Sequence, residues 1–301
     1  MFARRSINAA AALALVAGCT TTMPAAPPPD PAPAQRAFAA SCTDFDEWDK
    51  PAPPFRLHGD TYYVGTCGIA ALLITDARGH TLIDSGTDRG AEVVLANIRA
   101  LGFDPRDVTT ILMSHEHFDH VGGLARVQAA TGATIAATAP AAAVLRTGIT
   151  AEGDPQAQSG HDAFPPVTGP IRLIDPAGAQ GRFTPIATPG HTRGALSWRW
   201  QSCETGACRW IVYADSMNPI SDDHYRFSDH PGLVAEFRAG VAALAASPCD
   251  ILVTPHPGGS ALRRRLLGEA PLVDPEGCRT YAAGVTSRLD ARLAEEAARA
   301  R

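Results

Sequence analysis

Six consecutive residues, His115-Glu116-His117-Phe118-Asp119-His120, bring together four side chains able to bind a transition metal. Neutral imidazoles packed this densely have little structural use, so the stretch reads as ligand chemistry. On a nearly extended backbone, side chains two apart share a face, which lets His115 and His117 grip one ion. Asp119 and His120 follow as the chain turns and can aim at a second ion nearby. Imidazole together with carboxylate suits zinc. Two more histidines stand in matching contexts: His191 in Ile186-Ala-Thr-Pro-Gly-His191-Thr and His256 in Ile251-Leu-Val-Thr-Pro-His256-Pro-Gly. Each follows an apolar run that stops at a proline, a residue disfavoured in mid-strand, so both belong at the rim of a sheet. The residues then form two sets of three: His115, His117 and His191, and Asp119, His120 and His256. Three protein ligands leave one position open for water, the pattern of catalytic rather than structural zinc. Histidines 58, 80, 161, 224 and 230 lack such contexts.

The elements around these residues must hold them at strand ends. The β-branched, apolar run 108–114 predicts a buried strand that delivers the six residues to a loop, and 121–126 a turn entering a helix. Ligand sites in α/β sheets lie at the carboxyl ends of strands. Upstream, 60–65, 69–75 and 80–84 predict successive strands, and 91–101 a helix. Downstream come a strand at 134–137 and a short helix at 139–146. Residues 147–170 are rich in Gly, Pro, Asp and Ser and predict a long surface loop beside the site. Strands follow at 171–174, 183–187, 195–201 and 209–214, then a helix at 231–246. The last strand is 250–254, with helices near 261–267 and 279–299. Two sets of strands, each followed by helices, predict two sheets face to face with helices outside, in one domain over 41–301. Trp48 and Phe55 precede the first strand and either flank the site or cap the core.

At 301 residues with 45% hydrophobic and 19% charged side chains, the chain can bury a sizeable core. A net charge of −5 and the absence of a basic stripe exclude nucleic acid as a partner. Arg4-Arg5 precede an apolar run, 7–17, too short to span a bilayer, so residues 1–18 read as a secretory signal. Val16-Ala17-Gly18-Cys19 resembles a bacterial lipobox, which would lipidate Cys19 and anchor a periplasmic protein; ordinary cleavage after a small residue is the alternative. Residues 19–40, rich in Thr, Pro and Ala, predict an extended tether. Setting Cys19 aside leaves six of the seven cysteines, an even number that an oxidising compartment would pair.

His-x-His-x-Asp-His, the later Gly190-His191, and Leu82-Ile83-Asp84-Ser85-Gly86 resemble the metallo-β-lactamase superfamily, over roughly residues 55 to 300. More narrowly, Tyr213-Ala214-Asp215-Ser216 and Thr254-Pro255-His256-Pro257-Gly258 resemble the third subclass of class B β-lactamases. The resemblance implies an α/β fold, the four-layer αβ/βα sandwich, and two zinc ions per chain. It also implies a monomer that hydrolyses the amide bond of β-lactam antibiotics, a small-molecule substrate, with water activated on the metal, conferring resistance. Asp119 would orient that water, Asp84 would fix the ligand loops, and Ser216 would stand where other subclasses place a cysteine ligand. Ser216, Asn218, Ser221 and Trp48 would contact substrate. The resemblance further implies bridges Cys42–Cys67, Cys203–Cys208 and Cys249–Cys278. Lactonases and thioesterases share the superfamily motif; there an aspartate bridges both metals, and Asp215 would be that residue. A serine mechanism lacks its parts, since Lys50 is the one lysine and no Gly-x-Ser-x-Gly occurs.

Overall fold

The computed structural model describes residues 31–161 and 163–299. Strands β1 (Phe55–His58), β2 (Thr61–Tyr63), β3 (Leu72–Ile74), β4 (His80–Ile83), β5 (Val108–Leu112), β6 (Thr134–Ala137) and β7 (Ile171–Leu173) join in chain order into one sheet. Pairing is antiparallel from β1 to β4 and parallel from β4 to β7. Strands β8 (Thr184–Ala187), β9 (Leu196–Glu204), β10 (Ala207–Tyr213) and β11 (Ile251–Val253) form a second sheet in the order β11-β10-β9-β8.

Period-two alternation sorts the side chains into layers. Leu72, Ile74, Ile83 and Leu112 face inward and meet Trp198, Trp200, Ile211, Tyr213 and Val253 of the second sheet. Their strand neighbours Leu73, Leu82 and Ile111 face the other way. The intervening helices supply the cover. Val94 and Ile98 come from α2 (Gly90–Ala100), Leu124 and Val127 from α4 (Leu124–Thr131), and Leu145 from α5 (Ala139–Thr147). Behind the second sheet, Val212 and Leu252 pack on Leu233 and Phe237 of α6 (Pro231–Ala246) and on Val285 and Leu289 of α8 (Gly277–Arg299). The result is helix, sheet, sheet, helix, the four-layer sandwich expected from the sequence. Short helices α3 (Phe118–Val121) and α7 (Leu262–Leu266) complete the set among the described residues.

One boundary is corrected. The expected tether ran to residue 40, but Pro31–Ser41 is a helix, α1, and it belongs to the folded body. Its Phe38 is fully buried, with its ring edge-on to Phe55 at 5.1 Å and to Tyr63 at 4.9 Å. Burying a phenylalanine contributes about 1.5–3 kcal/mol, enough to hold a short helix in place. Alanine is the best helix former and proline is tolerated in the first turn, so a composition that suggests a spacer also permits this helix. Arg263 Nε donates to Ala39 O and Cys42 O, both at 2.9 Å, satisfying carbonyls at the helix's C-terminal end. Phe55 starts β1 rather than preceding the first strand, and its ring stacks on Tyr63 in the core. The signal segment and Cys19 lie outside the described residues.

The three bridges Cys42–Cys67, Cys203–Cys208 and Cys249–Cys278 are present. Protein starting at Pro31 should therefore show no free thiol when denatured without reductant; two or more titratable thiols per chain would refute the pairing. Cys249–Cys278 spans 29 residues and Cys203–Cys208 spans 5. By loop-closure entropy the first should contribute about 3–4 kcal/mol and the second about 2 kcal/mol, so Cys249→Ala/Cys278→Ala should lower stability more.

Candidate metal centre

The segment that enters the site is pinned from both sheets. Asp84, just past β4, accepts from Ser114 N at 2.7 Å, Ser114 Oγ at 2.6 Å and the Tyr213 hydroxyl at 2.9 Å. It does so from a left-handed backbone, φ +61°, unusual for a non-glycine residue and set where the chain must turn sharply. Asp84 thus holds the residue before His115, the role expected of it. From the second sheet, Trp198 Nε1 donates to Met113 O at 2.8 Å and Leu196 N to Ser114 O at 2.7 Å. Buried Glu116 accepts from Thr192 Oγ1 at 2.6 Å and Gly194 N at 2.8 Å, joining the six-residue stretch to the turn that carries His191. That turn depends on Gly190, whose φ is +148° and where a Cβ would strike the Phe237 ring.

Five histidines and an aspartate converge there. The rings of His115, His117 and His191 lie 4.8 to 5.0 Å apart, and their ligand-capable atoms fall within 4.8 Å of one another. His115, Asp119 and His120 make a second such group. His256 stands against it, with Nε2 3.4 Å from Asp119 Oδ2 and its ring 4.9 Å from that of His120. All the ligands named from the sequence are therefore brought together, with His115 between the two groups.

The donor set fits a metal. His115 Nε2 is buried with no hydrogen-bond partner, a cost of about 1–3 kcal/mol unless its lone pair is used. Its other nitrogen, Nδ1, is 2.7 Å from Asp215 Oδ1. His191 Nδ1 donates to Asn218 O at 2.9 Å, and His117 Nε2 lies 3.1 and 3.2 Å from the two oxygens of Asp154. Each ring of the first set thus has one nitrogen held from outside, leaving the other for an ion.

Electrostatics agree with that use. Burial first, then His115 and His117, push His191 down to about 3; burial and His120 push His256 down to about 4. Burial also holds His115 well below the ordinary histidine range. These three rings are neutral at neutral pH, the form that ligates, whereas against burial Asp154 raises His117 and Asp119 raises His120, so an ion bound there displaces a proton. Burial works against ionising Asp119, but His120, His115 and His256 outweigh it and keep the carboxylate charged.

The other site residues divide. Ser216 Oγ is buried without a partner. Ser216, Asn218, Trp48, Ile220 and Tyr281 line a groove of 710 Å³ that reaches His256. Trp48, 40% exposed, has its ring 6.1 Å from His256 and 5.5 Å from Phe118, so it flanks the site whereas Phe55 is core. Phe164 and Pro165, from the expected loop 147–170, line an adjoining depression with Trp48. Ser221 is a correction. Its hydroxyl donates to Asp222 O and Tyr225 O and accepts from Arg292, so it closes a loop instead of facing the groove. Sequence reasoning passed over Glu116, Asp154 and Tyr281, whose hydroxyl donates to Asp215 O and Ser216 O. Glu116 stood inside the ligand stretch, a signal that was there to use. Asp154 and Tyr281 meet the site only through the fold.

Comparison with known proteins agrees with this geometry. The profile described as "Metallo-beta-lactamase superfamily" matches residues 64–206. The solved structure of MIM-2 metallo-β-lactamase is 50% identical, covering 87% of this chain and 98% of that one, with a TM-score of 0.83. MEM-A1, a subclass B3 metallo-β-lactamase from a soil metagenome library, is 39% identical over 84% of this chain and all of that one, TM-score 0.77. Among curated proteins, N-acyl homoserine lactonase AttM of Azorhizobium caulinodans is 37% identical over 81 residues, 20% of this chain. The chain spans about a third of the length of the curated lactonases it matches. Full-length likeness at such identity, together with the ligand-bearing strand ends, decides the family: the chain belongs to the metallo-β-lactamase superfamily, within subclass B3.

Proposed function

We propose that this protein hydrolyses the amide bond of β-lactam antibiotics, using two zinc ions, and so confers resistance. His115, His117 and His191 would hold one ion, and Asp119, His120 and His256 the other. Zinc held there would supply Lewis-acid chemistry, lowering the pKa of a water to near 7 and polarising the carbonyl. The chain's own residues do the rest. Asp119, buried and ionised within the second set, orients the attacking water. Ser216 offers an uncommitted hydroxyl beside the second set. Trp48, Ser216 and Asn218 line the groove that receives the substrate. Hydrolysis adds water across the C–N bond, leaving a carboxylate and a protonated ring nitrogen.

The observation that carries this reading over a lactonase is the place of Asp215. Its Oδ1 is committed to His115 Nδ1, on the side of the ring away from the unpartnered Nε2. It is a bracket for a ligand rather than a carboxylate shared between two ions. The test is turnover of a chromogenic cephalosporin and of an acyl-homoserine lactone by zinc-loaded protein. Cephalosporin hydrolysis should dominate, vanish with a chelator and return with zinc, and leave no adduct in the intact mass. A substrate-derived adduct, or preference for the lactone, would overturn the reading. The three disulfides and the lipobox-like Cys19 support work outside the cytoplasm, in the periplasm as a lipid-anchored protein.

A further inference from the structure

Among the described residues, the long segment between α5 and β7 carries no helix or strand, yet it delivers Asp154, 3% exposed, onto His117. The two carboxylate oxygens lie 3.1 and 3.2 Å from Nε2, and Oδ1 also accepts from Gln156 N at 2.7 Å, which fixes the aspartate's rotamer. The segment is in turn tied to the one after β10. Asp222 N donates to Pro155 O at 2.8 Å, and Asp222 Oδ2 accepts from Gln158 N at 2.8 Å. The same post-β10 segment supplies Asn218 O to His191. Two of the three histidines of the first set are therefore braced by two irregular segments that are clasped to each other at Asp222.

We propose that Asp154 is a positioning residue for the first metal set. By accepting the Nε2 proton of His117 it selects the ring tautomer whose lone pair is on Nδ1, and it sets the ring's angle toward His115 and His191. Asp222 is the clasp that keeps Asp154 in place. A carboxylate on the outer nitrogen fixes tautomer and orientation and makes the ring a better donor, and loss of such a partner typically costs 10–100-fold in metal affinity. The inference takes from the function proposed above only that these histidines hold a metal.

The first measurement needs no metal. In ¹⁵N-histidine-labelled, zinc-free protein, brought to a pH alkaline enough that the His117 ring is singly protonated, His117 should show one tautomer, protonated at Nε2, and Asp154→Ala should convert it to a mixture. A role confined to loop packing would not move that signature. The second measurement is zinc affinity by competition with a chromophoric chelator. Asp154→Ala should weaken one of the two ions by about 10–100-fold, and Asp222→Ala should weaken the same ion by less. Asp154→Asn keeps an acceptor for Gln156 N and His117 Nε2 and should recover most of the affinity, which also covers the case in which the alanine variant fails to fold. Wild-type zinc affinity in all three variants, or an unchanged His117 tautomer, overturns the proposal. Because zinc affinity is read apart from turnover, failure of the β-lactam assay alone leaves this inference standing, and failure here leaves that reading standing.

Discussion

Asp119→Ala should lower kcat on a chromogenic cephalosporin by roughly two to four orders of magnitude, the usual range for loss of a positioned acid–base group. Asp119 is 6% exposed, 3.0 Å from His120 Nε2 and 3.4 Å from His256 Nε2, so its carboxylate sits in the middle of the second set. Three imidazoles keep it ionised against the pull of burial. Alanine removes a ligand, the group that orients water, and the carboxylate nearest His120 Nε2 and His256 Nε2. Zinc counted per chain should fall from two toward one. Asp119→Asn separates the effects, since it keeps an oxygen ligand but loses the charge: it should hold more metal than alanine and remain slow. An Asp119→Ala protein with kcat within threefold of wild type would remove Asp119 from the chemistry.

Trp198→Ala should be the most destabilising single change considered, at about 3–5 kcal/mol. Trp198 is fully buried between the sheets, among the largest side chains of the core, and its indole N–H satisfies Met113 O. Truncation would leave a large cavity and an unpaired carbonyl two residues before His115. Trp198→Phe keeps most of the volume and should cost less than half as much. Urea unfolding of zinc-loaded protein reads both values. A loss under 1 kcal/mol for Trp198→Ala would mean that the sheets do not dock through this residue.

Ligands were legible because metal chemistry compresses information into short stretches. Three histidines and an aspartate in six residues, and two Pro-containing turns that each present a histidine, state their use without the fold. Strands such as β5 and β10 were legible for a different reason: each ends in a short apolar run with β-branched residues that is buried on both faces and stops at the site. The helix α1 was not legible, because alanine and proline fit a spacer as well as a helix, and only Phe38 finding Phe55 and Tyr63 decides between them. Ser221 reads as a free hydroxyl until Arg292, 71 residues away, claims it. Asp154 and Asp215 show the general limit. A carboxylate that steers a ligand needs no spacing rule relative to it, so it can arrive from any loop.

The metal ligands hang from strand ends in both sheets: His115 follows β5 of the larger sheet, while His191 and His256 follow β8 and β11 of the smaller. An ion held by both is a bolt through the sandwich, and linkage turns that into a dependence on supply. Zinc at a thousandfold over its dissociation constant adds about 4 kcal/mol to unfolding, and withdrawing it removes the same amount. Starving this protein of zinc therefore does more than idle it. Without its ion the chain should melt earlier and be cut faster by proteases that act on opened molecules, so scarcity of metal would set how long the protein lasts as well as how fast it works.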